Sequence, residues 1–145
     1  MQIAAEITEA RLAEMIRRCP FHRLLGIEVQ AVDPAACSVV VRLEVAPDLS
    51  RTDAGIELHG GVIATLLDVA GDYAVALATG RPVPTIGLSI DYLRMARGRT
   101  AVATARVVKA GRSIAVADME LRDETGSLVA IGRGTYSTAA AGTEG

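Results

Sequence analysis

Tryptophan is absent and phenylalanine occurs once; three tyrosines complete an aromatic content of 3% in 145 residues. So few rings argue against a base-stacking surface for nucleic acid, and a formal net charge of −2 lacks the basic footprint that such a partner needs. Cysteine is scarce as well. Cys19 and Cys37 form neither a disulfide framework nor a metal-ligand spacing, which predicts a reducing, cytoplasmic setting and no metal centre. Long apolar runs are missing too, although 50% of the residues are hydrophobic and the mean hydropathy is +0.33. The longest, Val62 to Leu67 and Tyr73 to Ala78, fall far short of a bilayer span, so no membrane partner is expected. Charges run through the first twenty residues, and no signal peptide is predicted. There is no internal repeat, low-complexity tract or long linker, and the length suits one domain with a substantial core.

The elements that are present have a clear order. Residues 6 to 18 read as a short amphipathic helix carrying Ile7, Leu12, Met15 and Ile16, closed at Cys19-Pro20 because the residue before proline leaves the helical region. Val39, Val41, Leu43 and Val45 alternate with polar neighbours as a half-buried strand, and Pro47 to Glu57 reads as loop. Residues 62 to 79 form a long helix closed by Gly80 and Pro82. Thr65, Asp68, Asp72 and Thr79 fall in one narrow stripe of it, and the rest is apolar or glycine, so the helix is buried around a single polar seam. Four strands follow: Ile86 to Leu93, Thr100 to Lys109, Ser113 to Leu121 and Leu128 to Ser137. Consecutive strands without intervening helices predict an antiparallel sheet, hence an α+β fold with a curved sheet wrapped around the central helix. Ala101, Ala103, Ala105, Val107, Ala115 and Ala117 would leave the other sheet face apolar, which predicts a homo-oligomer to cover it.

Two features carry chemistry. His59-Gly60-Gly61 stands immediately before the buried helix, where unpaired backbone N–H groups and a partial positive charge suit an oxyanion. Two glycines would let a carbonyl approach those donors, although a plain tight turn has the same residues. Asp68 lies two turns in, where a carboxylate is costly unless it is paired or works; a structural bond to Thr65 is the competing explanation. Asp72, one turn further, allows a paired-carboxylate reading with Asp68, although such a residue is more often expected to face the wetter end of the seam. Six basic residues from Arg94 to Arg112 with no acid among them (Arg94, Arg97, Arg99, Arg106, Lys109, Arg112) are either a solvated strand pair or a landing site for phosphate groups.

These residues carry a resemblance. His59-Gly60-Gly61, with Asp68 nine positions after His59, resembles the signature of hot-dog-fold acyl-CoA thioesterases of the phenylacetate-pathway (PaaI-like) group, in the 4-hydroxybenzoyl-CoA thioesterase superfamily. Pro20-Phe21 with Leu25-Gly26-Ile27 is similar to the family's entry into its first strand. Thr85 to Leu93, Gly111-Arg112 and Leu128-Val129-Ala130 extend the likeness over residues 20 to 138. It implies one hot-dog domain over residues 1–145, with an N-terminal helix in 1–19 and a disordered tail over 139–145.

The resemblance also implies roles. The Gly60 N–H would polarise a thioester carbonyl, with Gly61 beside it on the substrate. Asp68, from the neighbouring subunit of a homodimer or homotetramer, would act as general base or nucleophile, and Thr85 would help position the attacking water. His59 would brace the loop or take a proton. Arg94, Arg97 and Arg112 would contact coenzyme A phosphates, coenzyme A being part of the substrate and no cofactor being required. One departure stands out. Six residues before the histidine the family has asparagine or glutamine, whereas this chain has Asp53, and Gly55 stands four rather than three residues before His59. If Asp53 enters the site, it and Asp68 compete for a proton. That favours the alternative of a weakly catalytic acyl-CoA-binding protein; a dehydratase, or an interaction module of the same fold, is a further alternative.

Overall fold

The computed structural model describes residues 7–54 and 57–140. The tail expected over 139–145 lies outside them from position 141 onward, as do Gly55 and the first residue of the helix expected over 6–18. Helix α1 spans Glu9–Arg18, capped by Thr8, whose Oγ1 accepts from the Arg11 N–H at 3.2 Å, and it buries Leu12 and Ile16. It ends at Cys19, but Pro20 opens a second short helix, α2 (Pro20–Leu25), rather than leading straight to a strand. Proline at a first helical position loses no hydrogen bond, because that N–H is unpaired in any helix. Gly26 closes α2 in the left-handed region, at φ 73°.

Strands β1 (Glu28–Asp33) and β2 (Ser38–Glu44) form the first hairpin. The long helix α3 spans Gly60–Thr79 and starts two residues before the apolar run suggested. Then come β3 (Thr85–Tyr92), β4 (Thr100–Ala110), β5 (Ile114–Asp123) and β6 (Leu128–Ser137). The six strands make one antiparallel sheet in the order β1-β2-β4-β5-β6-β3. This is the expected α+β architecture, with α3 packed against β2, β4, β5 and β6.

The inward face shows why the helix fits. Val39, Val41 and Leu43 of β2, Ala101, Ala103 and Ala105 of β4, and Ala115 and Ala117 of β5 are all 0 or 1% exposed. Successive side chains alternate between sheet faces, so each of these sets lies on one side. Rows of alanine let α3 approach the sheet closely, and Leu66 and Leu67, both 0% exposed, fill the space; each contributes roughly 2 kcal/mol by leaving water. The expectation of an apolar outer face is therefore corrected. Those alanines spend their methyls on α3, and the outer face carries Thr104, Arg106, Asp118, Glu120 and Arg133. Arg133 grips Asp118 there at 2.6 and 2.9 Å. With 20 residues, α3 has the length and apolarity of a membrane span, but 56% of its most apolar window is buried within the fold.

The two sheet edges differ. β1 carries Glu28 and Asp33 and an irregularity between Val29 and Ala31, and α1 packs on it. Among the described residues β3 pairs only with β6, and it presents Ile86, Leu88 and Tyr92 at 58, 37 and 53% exposure. Such an edge offers a row of unpaired backbone groups to another strand.

Candidate active site

The first turn of α3 distributes its backbone donors unequally. His59 is the N-cap, and its Nδ1 accepts from the Gly61 N–H at 2.9 Å. The N–H groups of Val62 and Ile63 both reach the His59 carbonyl, at 3.0 and 3.2 Å. Gly60 N–H is left, with no partner among the described residues. The ring of His59 thus braces the turn through a nitrogen that must be unprotonated to accept. This corrects the reading of Gly61, whose N–H is taken. A Cβ there would lie 3.1 Å from His59 Nδ1, so its smallness accommodates the cap rather than a ligand.

The preceding loop folds back as a short ladder. His59 N–H donates to the Leu49 carbonyl at 2.9 Å, Arg51 N–H donates to that of Glu57 at 2.9 Å, and Arg51 pairs with the Glu57 carboxylate. Asp53 sits exposed at the turn of this ladder, in a hollow with Pro47, Asp48, Ser50, Arg51 and Thr52, and does not line the cleft at Gly60. On the opposite wall the Tyr92 hydroxyl donates to the Gly60 carbonyl at 2.8 Å. A cleft of about 380 Å³ opens there, lined by Gly60, Ile63, Tyr92, Leu93 and Met95, with Arg51 and Arg94 among its walls. A larger hollow of about 620 Å³ lies on the outer sheet face. Its arginine Arg133 is already committed to Asp118, and it is cut off from α3 by the sheet, so the smaller cleft is the better candidate.

Further along α3, Asp68 does not bond Thr65, whose hydroxyl turns back to the Gly61 carbonyl. Thr85 Oγ1 instead donates to Asp68 Oδ1 at 2.9 Å. Thr85 can do so because the β3–β6 register slips between Thr85 and Gly87. Strict alternation would put it on the face opposite Tyr92, and the irregularity turns it back towards the helix. Tyr136 reaches the same carboxylate less closely, its hydroxyl 3.4 Å from both Asp68 Oδ1 and the Asp68 carbonyl. That ring lies between Gly71 and Gly134; a Cβ at either would overlap its hydroxyl, and one at Gly71 would also come within 2.6 Å of Met119 Sδ. Burial first, then the charges of Asp68 and Asp72, push the Tyr136 phenol well above its ordinary value.

Asp72 is a second correction. It is half-buried, and one of its oxygens, Oδ1, is buried without a hydrogen-bond partner among the described residues. Burial, and next the charge of Asp68, raise its carboxyl to about 7. The basic stretch also divides. Arg94, Arg97 and Arg99 lie before β4, beside the helix start, whereas Arg112 follows β4. A strand of 11 residues spans about 35 Å, so Arg112 cannot join Arg94 and Arg97 on one ligand within a single chain. Arg106 faces outward beside Asp118. Gly60 and Asp68 are separated as well, by eight residues of helix or about 12 Å.

Comparison with known proteins decides the family. Residues 57–130 match the family described as the Thioesterase superfamily. The medium/long-chain acyl-CoA thioesterase YigI of Salmonella typhimurium is 33% identical over 92% of this chain and 96% of its own. The chain belongs to the thioesterase superfamily. Solved structures of this hot-dog fold align closely. Zebra fish Thioesterase Superfamily Member 2 gives a TM-score of 0.79 at 30% identity, over 91% of this chain and 99% of that one. PaaI from the phenylacetic acid degradation operon of E. coli gives 0.75 at 25% identity, over 88 and 89%. Within this thioesterase-superfamily chain, sequence reasoning passed over Tyr92 and Tyr136 as site residues. The signals for Tyr136 were a glycine inside a helix, Gly71, and a glycine inside a strand, Gly134, both marks of close approach.

Proposed function

We propose that the protein hydrolyses the thioester of an acyl-CoA in a site shared by two copies of the chain. The observation that carries this is the pairing of an unpartnered Gly60 N–H with an Asp68 carboxylate held by Thr85, too far apart in one chain to meet one carbonyl. Antiparallel pairing of the free β3 edge with that of a second copy brings the start of one strand beside the end of the other. Thr85 and Asp68 of one chain then lie against Tyr92 and Gly60 of its partner. Such a two-fold contact is self-complementary and generates two equal sites.

In each site the Gly60 N–H, at the positive end of α3, binds the thioester carbonyl oxygen as it gains negative charge. Asp68 takes a proton from water, whose oxygen bonds to the carbonyl carbon, and Thr85 fixes the carboxylate for this step. Collapse of the tetrahedral intermediate breaks the C–S bond, and the coenzyme A sulfur leaves with the proton. Arg94 and Arg97 beside the cleft attract coenzyme A phosphates, and Arg112 joins them only from the other chain. The apolar walls Ile63, Leu93 and Met95 and the substrate named for the Salmonella relative support an aliphatic acyl group. Coenzyme A is part of the substrate, so this chemistry asks for no further cofactor or metal. Two free cysteines accord with a cytoplasmic location.

The test is hydrolysis of a panel of acyl-CoA thioesters, with the liberated thiol detected by a colour reagent. Turnover of medium or long aliphatic substrates is expected. Tight acyl-CoA binding without thiol release would favour the weakly catalytic reading that Asp53 raises.

A further inference from the structure

The hydrolytic reading leaves one carboxylate of the seam idle. Asp72 follows Asp68 by one helical turn, the spacing at which two side chains share a face. Its Oδ1 is buried with no partner among the described residues, an arrangement that costs a structural carboxylate heavily. Asp68 and Tyr73 of α3 and Tyr136 of β6 share its electrostatic surroundings; His22 of α2 acts on Asp68, and Cys19, at the junction of α1 and α2, acts on Tyr73. His22 packs edge-on to Tyr73 with ring centres 6.0 Å apart, and its Nδ1 lies 3.1 Å from the Ile16 carbonyl.

None of these neighbours offers a compensating cation near neutrality. Burial holds the His22 ring below its ordinary value, against smaller opposing pulls from the Ile16 carbonyl and Asp68. Burial, then Asp72 and Cys19, push the Tyr73 phenol up to about 12, so it stays neutral. Tyr136 is neutral for the reasons given above. Only the Val83 backbone N–H favours the ionised form of Asp72, against burial and Asp68. Burial and the neighbouring Asp68 therefore both oppose a charge on Asp72.

We propose that Asp72 is a positioning residue for Asp68, a second carboxylate one helical turn along the same face of α3, with an oxygen buried and unpartnered among the described residues, whose charge strengthens the pull of Asp68 on the attacking water. The inference rests on Asp68 being the base of the hydrolytic reaction. When Asp72 is neutral, Asp68 carries the only charge of the seam. When Asp72 ionises, the repulsion between the two is relieved by proton transfer from water to Asp68, and the transition state gains from that relief. Activity thus acquires a step near pH 7 that belongs to a group which never touches the substrate.

Two measurements on the full chain test this. The first follows carboxyl-13C aspartate resonances through a pH titration of the parent and of Asp68→Asn. The Asp72 signal is expected to have its midpoint near 7 and to move down on the order of one unit when the neighbouring charge is removed. The second compares kcat against pH for the parent and Asp72→Asn. In the parent kcat should rise roughly threefold between about pH 6 and 8, in the Brønsted sense. In the variant that rise should flatten, so that the ratio of the two rates changes with pH.

An Asp72 midpoint in the ordinary carboxylate range, or one that Asp68→Asn leaves in place, overturns the proposal. So does a variant slowed by the same factor at every pH, since that is what loss of a merely structural side chain would do. A parent with no turnover sinks the reading of Asp68 as base, and the positioning role with it. Turnover with an uncoupled Asp72 sinks this inference alone. Should Asp72→Asn fold poorly, the parent and Asp68→Asn titrations still decide.

Discussion

The two ends of the α3 seam solve opposite electrostatic problems. At its start the helix offers a backbone donor and no charged side chain: His59 and its carbonyl absorb the first-turn N–H groups except that of Gly60. Two turns in, the seam presents the half-buried Asp68 carboxylate, with Thr85 and Tyr136 turned towards it. The first end is made for charge that appears during a reaction, and the second for charge that is present before it. Neither is a hydrolytic site alone. About 12 Å of helix separates them, and that distance, with the β3 edge, is what supports the proposal that a second chain completes the site.

The comparison is broken most completely from the carboxylate end. Asp68→Asn keeps the shape and a hydrogen-bond acceptor for Thr85 but cannot take a proton. Turnover should drop by about 10²–10⁴, with acyl-CoA binding retained. Removing a charge from an apolar helix should leave Tm unchanged or raise it. Thiol-release rates and thermal melts of the two proteins check this, and undiminished turnover would remove Asp68 from the mechanism.

The donor end can be broken almost as cleanly. Gly60 is the first helical residue and His59 before it is extended, at ψ 138°, which is the backbone that proline tolerates on both counts. Gly60→Pro therefore deletes the unpartnered N–H and leaves the helix start. It should cost about 10²–10³ in kcat with little change in Tm. Mixing it with Asp68→Asn under exchanging conditions sharpens the point. About half of randomly formed pairs are mixed and one of the two sites in each is whole, so about one quarter of the parental activity should return. No recovery in a demonstrably mixed population would put both residues in one chain's site.

Much of this could be read in advance, and the failures have particular causes. Period-2 alternation located β2, four successive strand-like runs located β3 to β6, and the polar stripe at helical spacing located α3 and its seam. The buried Asp72 Oδ1 was not legible, because a helical stripe fixes which residues share a face but not how deeply each part of it sinks. The Thr85 contact depends on a slip in strand register, which no local pattern announces. Arg112 was grouped with Arg94 because they are neighbours in sequence, while the strand between them carries them to opposite ends of the sheet.

The stability of the seam offers a third test, independent of turnover. Asp72 binds its proton more tightly in the folded chain, at about 7 against 3.8, so between those values the folded state holds a proton that the unfolded state has released. Stability therefore falls as pH rises across that window. Three pKa units set an upper limit of about 4 kcal/mol. Asp72→Asn should show a shallower loss of Tm from pH 4 to 7 than the parent, a difference that differential scanning calorimetry reads directly. Parallel curves would mean that the buried carboxylate relaxes towards water.

Asp53→Asn should have the smallest effect, and it separates the two ends by charge. Asp53 lies exposed at the turn of the ladder that leads into Gly60, so its charge reaches the oxyanion position only at long range. A negative charge there opposes the one developing on the thioester oxygen, although solvent screens it. The amide removes that opposition, and turnover near neutrality should rise a few-fold, in keeping with exposed charges being worth about 1 kcal/mol or less. The step near pH 7 should persist in this variant, because it belongs to Asp72 at the other end. Profiles of kcat against pH for the parent, Asp53→Asn and Asp72→Asn make the comparison. If the step disappears with Asp53 and survives the loss of Asp72, the charge that Asp68 feels comes across the chain interface from the partner's loop. The two ends of the seam would then be coupled electrostatically, and not by the reaction alone.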